Sequence, residues 1–215
     1  MEKNQRPENP SKIKVAIIIP AYNEEIAVLN TIKDYQNFFP EAHIVAVNNN
    51  SNDQTETQIK KALRSENDFY VFEKQQGKGH AVRKGLKFLD ADIFILTDAD
   101  FTYPAAEARK CFDILLKNRC DLVCGDRLSA GAYVAQNQRF GHSLGNRTLT
   151  SLISSVAQRK YKDVLTGLRI MPSPFVEMLG IRSSGFQIET EMNLVAAHLL
   201  CDIEEVPIKY VQRPA

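Results

Sequence analysis

The order of apolar and amphipathic runs predicts an α/β protein: a mostly parallel sheet flanked by helices on both faces. Three observations carry that expectation. Short β-branched runs alternate with helix-spaced stretches through the first half of the chain, the pattern of a parallel sheet with crossover helices. The first run, Val15 to Ile19, is apolar at every position, as a strand buried on both faces must be. The composition, 44% apolar and 25% charged, is that of an ordinary globular chain rather than a disordered one.

Taken in order, Val15 to Pro20 reads as a strand and Asn23 to Phe38 as a helix. His43 to Val47 is a second strand ending in the turn-forming cluster Asn48 to Asp53, and Thr55 to Leu63 a helix. Phe69 to Phe72, Gly79 to Leu89, Asp92 to Thr97, Ala105 to Leu116 and Leu122 to Cys124 continue the alternation. Beyond it the spacing gives long helices over Arg139 to Val156 and Gln187 to Leu200. A last strand is expected over Val206 to Val211, with Pro207 suggesting a sheet edge. Residues 1–12 form a polar leader with Pro7 and Pro10, expected to be poorly ordered, and 13–215 one domain.

The chain has 215 residues, 27 basic and 26 acidic, for a net charge of +1. That balance argues against a dedicated nucleic-acid binder, whose footprint is strongly basic. No run approaches the roughly 18 apolar residues of a membrane span, and the leader has no apolar core of a signal peptide. The four cysteines do not make a disulfide framework, and Cys120 and Cys124, with three residues between them in or beside an apolar strand, are expected to pack rather than bind zinc. A protein of the cytoplasm is the expectation, with the inner membrane surface as the place its chemistry would put it.

In a parallel sheet, ligands bind beyond the carboxyl ends of the strands. The first strand ends in Pro20-Ala21-Tyr22-Asn23-Glu24-Glu25, good helix-capping chemistry in its own right. Gly77-Lys78-Gly79 precedes a helix, where open backbone, amide donors and a lysine favour an anion, although a basic solvated face is the plainer reading. It matches neither the dinucleotide fingerprint nor a P-loop, and no G-x-S-x-G elbow occurs. The fourth strand ends in Asp98-Ala99-Asp100. Two carboxylates so close repel unless something positive lies between them, and a hard divalent cation meets that need. Asp90 and Asp92, at the other end of that strand, read as solvated turn charges. Arg139, Ser143, Asn146 and Thr150 fall on one helix ridge, and with Arg127 would place two guanidiniums and a hydroxyl around a phosphate. Gln187, Glu189 and Glu191 open the last helix, with Gln187 and Glu191 sharing a face and Glu189 pointing elsewhere.

These pieces, in order, resemble the family-2 glycosyltransferases, and more closely the dolichol-phosphate mannosyltransferase-like branch that acts on polyprenyl phosphates. The resemblance runs from Val15 to the C-terminus and adds Gly125-Asp126-Arg127, Gly145-Asn146-Arg147, Thr166-Gly167-Leu168-Arg169, Gly185-Phe186-Gln187-Ile188-Glu189-Thr190-Glu191 and Glu205-Val206-Pro207-Ile208. It implies a GT-A, Rossmann-like fold and a UDP- or GDP-sugar donor. It also implies Mg²⁺ or Mn²⁺ on Asp98 and Asp100, with Gln187 as a further ligand. Pro20, Ala21, Tyr22 and Glu24 would line the base and ribose pocket, while Asn49, Asp53 and Lys78 flank the nucleotide. Arg127, Arg139 and Ser143 would hold an acceptor phosphate, Arg213 would reach the donor diphosphate, and Glu191 or Glu189 would serve as base for a hydroxyl acceptor.

Two departures stand out. The family commonly has aspartates where this chain has Asn48 and Asn49, and relatives continue past Arg213-Pro214-Ala215 with a Gly/Ser/Lys-containing loop and in some cases transmembrane helices. The expected reaction is an inverting, metal-dependent transfer to a polyprenyl phosphate at the membrane surface, attached through a membrane-embedded partner, a further C-terminal region or the basic ridge alone. The alternatives are transfer to a saccharide or glycoconjugate hydroxyl, and a nucleotide-sugar-binding protein with impaired catalysis. A nucleotidyltransferase lacks its Gly-rich, basic loop after Ile19.

Overall fold

Seven strands form one twisted sheet in the order β3-β2-β1-β4-β6-β5-β7 in the computed structural model, which describes residues 13–64, 66–129 and 142–214. The strands are β1 (Val15–Ala21), β2 (His43–Asn48), β3 (Asp68–Phe72), β4 (Ile93–Leu96), β5 (Leu122–Asp126), β6 (Arg169–Pro172) and β7 (Ile203–Pro207). The helices are α1 (Val28–Phe38), α2 (Thr55–Ala62), α3 (Lys78–Leu86), α4 (Ala105–Asn118), α5 (His142–Val156), α6 (Ser173–Met178) and α7 (Ile188–His198). β3, β2, β1 and β4 run parallel, as do β5 and β7. β6 lies antiparallel between β4 and β5.

Side-chain alternation along the central strands feeds two separate cores. Ile17, Ile19, Ile44 and Ile95 face α1, α2 and α4, where Ile32, Tyr35, Ile59 and Phe112 cover them. Ala16, Ile18, Val45, Phe94 and Leu96 face α3, α6 and α7, under Val82, Phe175, Ile188 and Met192. Each of these aliphatic side chains is removed from water almost entirely, at about 1.5–3 kcal/mol apiece. The buried ends of β1 and β4 are thereby held rigidly side by side, Ile18 opposite Leu96.

Three expectations need correction. The four-residue β6 and the short α6 were not foreseen, because Arg169 and Pro172 bracket only two apolar residues. The last strand is Ile203–Pro207 rather than 206–211; Pro207 does close an edge strand, and the chain leaves the sheet after it. α1 begins at Val28, not at Asn23: Asn23 adopts a left-handed φ of 53°, and its side chain accepts from the amide of Asn52 instead of capping the helix. Cys111, Cys120, Cys124 and Cys201 are buried free thiols, so the packing reading of Cys120 and Cys124 holds. Among the described residues no helix is long and apolar enough to cross a membrane.

Candidate active site at the strand ends

The loops after β1 and β2 are stapled to each other. Asn23 and Glu24 donate their amides to Ser51 Oγ and Thr55 Oγ1, at 3.0 and 2.7 Å, and Glu25 donates to Asp53 Oδ2 at 3.2 Å. Burial pushes Asp53 up, but the hydrogen bonds from Thr55 and the Glu25 amide outweigh it and hold the carboxyl below its ordinary value. Pro20 and Ala21 end β1, and Ala21 accepts the amide of Asn49 at 2.8 Å. Tyr22 is half exposed, its hydroxyl 3.3 Å from Gln76 Nε2. These strand-end residues therefore form one wall.

Asn48 and Asn49 are buried and bonded at both ends of their amides. Asn48 donates to the Tyr70 hydroxyl and accepts from the Ser51 amide. Asn49 donates to the carbonyls of Glu73 and Gln75, at 3.3 and 2.7 Å, and accepts from the amide of Gly77 at 2.8 Å. An aspartate at 49 has no N–H to give those two carbonyls. The departure from the family's aspartate thus has a structural cause: Asn49 fastens the loop between β3 and α3.

That loop delivers Gly77-Lys78-Gly79 to a place the sequence did not suggest. Gly77 has φ of 133°, and a Cβ there would lie 2.2 Å from the carbonyl oxygen of Ser184; one on Gly79 would lie 2.0 Å from that of Ser183. The Gly79 amide donates to Ser184 O at 2.8 Å, and Arg83 donates to Ser183 O at 2.6 Å. The expected anion cradle is thus occupied by the segment leading into α7. The glycines let Lys78 turn inward, where its ammonium lies 2.6 Å from Asp98 Oδ1 and 2.5 Å from Glu189 Oε1. Burial alone would lower the lysine's pKa, but the two carboxylates prevail and raise it.

Asp98 and Asp100 flank the end of β4. Gly167 passes close behind Asp98: a Cβ there would lie 2.4 Å from Asp98 Oδ2, so a side chain at 167 would displace the carboxylate. Asp100 Oδ1 accepts from the amide and hydroxyl of Thr102, at 3.1 and 2.6 Å, in the turn where Phe101 takes a left-handed φ of 63°. Burial, then the charge of Asp98, raises Asp100 above its usual range. Glu24 is pushed up to about 7 by burial, with Asp100, Asp98 and Asp53 adding to it against the pull of Arg213. Arg213 reaches Glu24 Oε2 at 2.7 Å from a C-terminal strap secured by Val211 N to Thr102 O at 3.0 Å and by the Tyr210 ring on Tyr103.

The structure thus brings together Glu24, Asp98, Asp100, Lys78 and Arg213 with Glu189, which points away from the face shared by Gln187 and Glu191. α7 begins only at Ile188, so Glu189 lies in its first turn with its side chain inward and buried. Arg169, fully buried, fixes that turn by donating to Glu189 O at 3.0 Å and to Asn193 Oδ1 at 2.8 Å. The packing of Gly167-Leu168-Arg169 was visible as a motif, but nothing in it named Glu189.

Other expected residues are placed elsewhere. Gln187 is exposed, its side chain over Gly185, at the rim of a groove of about 790 Å³. The groove is lined largely by Leu149, Leu165, Phe186, Leu194 and Val195, and Phe186 lies 5.6 Å from Lys78 Nζ. Glu191 accepts the amides of Arg182 and Ser183 with its two oxygens, at 2.7 and 2.9 Å, so its carboxylate holds a loop. Arg127 is buried and forked onto Asp163 through Nε and Nη2, at 2.6 and 2.8 Å, a partner the sequence did not disclose. Arg139 and the side chain of Ser143 lie outside the described residues.

The chemistry of the cluster fits a hard divalent ion. Among the described residues the cations paired with Asp98, Glu189 and Glu24 are Lys78 and Arg213, and Glu24 and Asp100 are displaced toward protonation. Among the described residues no three His, Cys, Asp or Glu side chains converge as a complete cage. An ion on Asp98 and Asp100 would leave its other positions to water and ligand oxygens, the habit of Mg²⁺.

Proteins similar to this chain include several named as glycosyltransferases. The chain is 29% identical over 95% of its length to glycosyltransferase AglJ of Haloferax volcanii, and 27% identical over 92% to the dolichol-phosphate mannosyltransferase of Pyrococcus furiosus. It spans 65% and 56% of those two relatives' own lengths. Glucosyl-3-phosphoglycerate synthase from Mycobacterium tuberculosis, solved with Mn²⁺, uridine diphosphate and glucosyl-3-phosphoglycerate, superposes with a TM-score of 0.76 over 98% of this chain and 79% of its own, at 16% identity. The fold is accordingly the GT-A arrangement expected from the sequence. The model of the family described as "Glycosyl transferase family 2" matches residues 16–175, and the chain belongs to that family.

Proposed function

We propose that this chain is the catalytic unit of an inverting glycosyltransferase that moves a sugar from a nucleotide sugar to a polyprenyl phosphate. The observation that carries the proposal is the acidic cluster of Glu24, Asp98 and Asp100 at the ends of β1 and β4, with Lys78 and Arg213 fixed against it. Asp98 and Asp100 would hold Mg²⁺ or Mn²⁺, whose charge stabilises the nucleoside diphosphate as it leaves. Pro20, Ala21, Tyr22 and Glu24 would line the base and ribose pocket, with Asn49 and Asp53 holding its walls in place. Arg213 would turn from Glu24 toward the donor diphosphate.

The acceptor reading rests on which groups are engaged. A hydroxyl acceptor requires a base within hydrogen-bond reach. Glu191 is bound to two backbone amides, and Glu189 to Lys78. A phosphate oxygen is already anionic and needs orientation rather than deprotonation. Arg139 and Ser143 would supply it, with Arg127 held in place by Asp163. The apolar groove beside Phe186 suits the first isoprene units of such an acceptor, and the mannosyltransferase relative is named for a lipid phosphate of this type. The enzyme would then act peripherally at the cytoplasmic membrane surface, alone or beside a membrane-embedded partner. Nucleic acid has no place in this reading.

Incubation with radiolabelled UDP- and GDP-sugars, Mn²⁺ and short polyprenyl phosphates tests it. Label in the lipid phosphate, abolished by chelator, is the expected result. Label only in saccharide acceptors identifies a family member acting on hydroxyls. Donor binding without transfer identifies a binding protein, a reading weakened by the structural role of Asn49.

A further inference from the structure

Lys78 is shared between two carboxylates of unequal standing. Asp98 is a candidate metal ligand, with Gly167 close behind it and partly open to solvent, its side chain 27% exposed. Glu189 is 5% exposed at its side chain, and its Oε2 is buried without a hydrogen-bond partner among the described residues. An ammonium wholly committed to Asp98 would oppose a divalent ion on the same carboxylate, because like charges so close repel strongly. Glu189 draws that ammonium toward the protein interior. Its position is fixed by Arg169 on its own carbonyl, and Lys78 is fixed by the seating of Gly77 and Gly79 against the Ser183 and Ser184 carbonyls.

We infer that Glu189 is a positioning residue that sets the divalent-ion affinity of Asp98 by sharing Lys78 with it, so that the ammonium is not committed to Asp98 alone. Glu189 would act through Lys78: with an ion on Asp98 the ammonium would still have Glu189, whose buried Oε2 has no hydrogen-bond partner among the described residues, as a second acceptor. No bond is made or broken and no proton moves. The inference rests on the reading of Asp98 and Asp100 as metal ligands.

The experiment is titration of the purified protein with Mn²⁺, alone and with UDP, following free Mn²⁺ by electron paramagnetic resonance. Glu189→Gln is isosteric, leaves Lys78 to Asp98, and is expected to weaken Mn²⁺ binding about tenfold. Lys78→Met removes the opposing charge and is expected to tighten binding by a similar factor. The decisive arm is Glu189→Gln in the Lys78→Met background, where a residue acting only through Lys78 changes the affinity less than about twofold. An equal loss in both backgrounds means that Glu189 acts on the ion directly and overturns the inference. Unchanged Mn²⁺ affinity in Glu189→Gln alone overturns it too, whether or not Lys78→Met folds. If the unsubstituted protein binds no Mn²⁺, or if Asp98→Asn leaves binding intact, it is the metal reading that fails instead.

Discussion

Arg127 and Lys78 are both buried cations held by carboxylates, yet the two assemblies follow different rules. Arg127 meets Asp163 as a fork, two parallel hydrogen bonds between groups that are 9% and 0% exposed. The arginine's own amide also donates to that carboxylate, at 3.2 Å. Lys78 is a point charge divided between two acids, in a cluster where carboxylates outnumber cations and two carboxyls are pushed toward protonation. A planar fork suits a fixed join, whereas a flexible ammonium among surplus acids suits a place where charge must change hands. The first assembly ties β5 to the segment before β6; the second joins the start of α3 to the end of β4 and the first turn of α7.

The comparison breaks most visibly if the acids of the second assembly are removed. Asp98→Asn with Asp100→Asn is expected to reduce sugar transfer by about a thousandfold or more while leaving the thermal unfolding temperature unchanged or raised, since repulsion is relieved. Radiometric transfer assays and calorimetry on the same sample check both halves. In the first assembly the effect should reverse: Asp163→Asn strands a buried guanidinium and is expected to cost about 3–5 kcal/mol of stability in urea unfolding.

Gly167→Ala sharpens the comparison from another side. Its methyl group would sit 2.4 Å from Asp98 Oδ2, so the carboxylate must move; a misplaced ligand of this kind is expected to lower kcat about a hundredfold. Mn²⁺ affinity measured alongside should fall with it. The smallest effect concerns Glu24. Its carboxyl is raised from 4.5 to about 7 on folding, so the folded chain binds that proton more tightly than the unfolded one. Stability contributed by the protonated form is therefore lost as pH rises from about 4.5 to about 7. Glu24→Gln should flatten that stretch of the stability profile by about 1 kcal/mol, a figure discounted for the group's partial exposure to water.

The parts of this molecule that could be read from the sequence are those with local causes. Val15 to Ile19 announces a doubly buried strand by composition alone, and Asp98-Ala99-Asp100 announces a charge problem by adjacency. β6 escaped because its centre is an arginine-led tetrapeptide whose guanidinium is buried by neighbours remote in sequence, Asn193 and Glu189 among them. Helical spacing separates Glu189 from the face shared by Gln187 and Glu191, as the structure has it, but spacing alone does not tell that Lys78 waits on the inner side. Gly77-Lys78-Gly79 has the composition of an anion cradle, and only the arrival of Ser183 and Ser184 turns its lysine inward. Asp163 opposite Arg127, at a separation of 36 residues, belongs to the same class of long-range partner.

The seating of α3 on the Ser183 and Ser184 carbonyls also bears on how the molecule reaches its native state. The contact joins segments 100 to 111 residues apart, and without it neither Lys78 nor Glu189 is in place. Such a closure is among the slowest to be rewarded during refolding, because the intervening chain must first be ordered. The β1–β3 half can therefore acquire protected amides before Lys78 meets Glu189. In pulse-labelling hydrogen exchange, the Gly79 amide should gain protection together with α7 rather than with the strands that precede it.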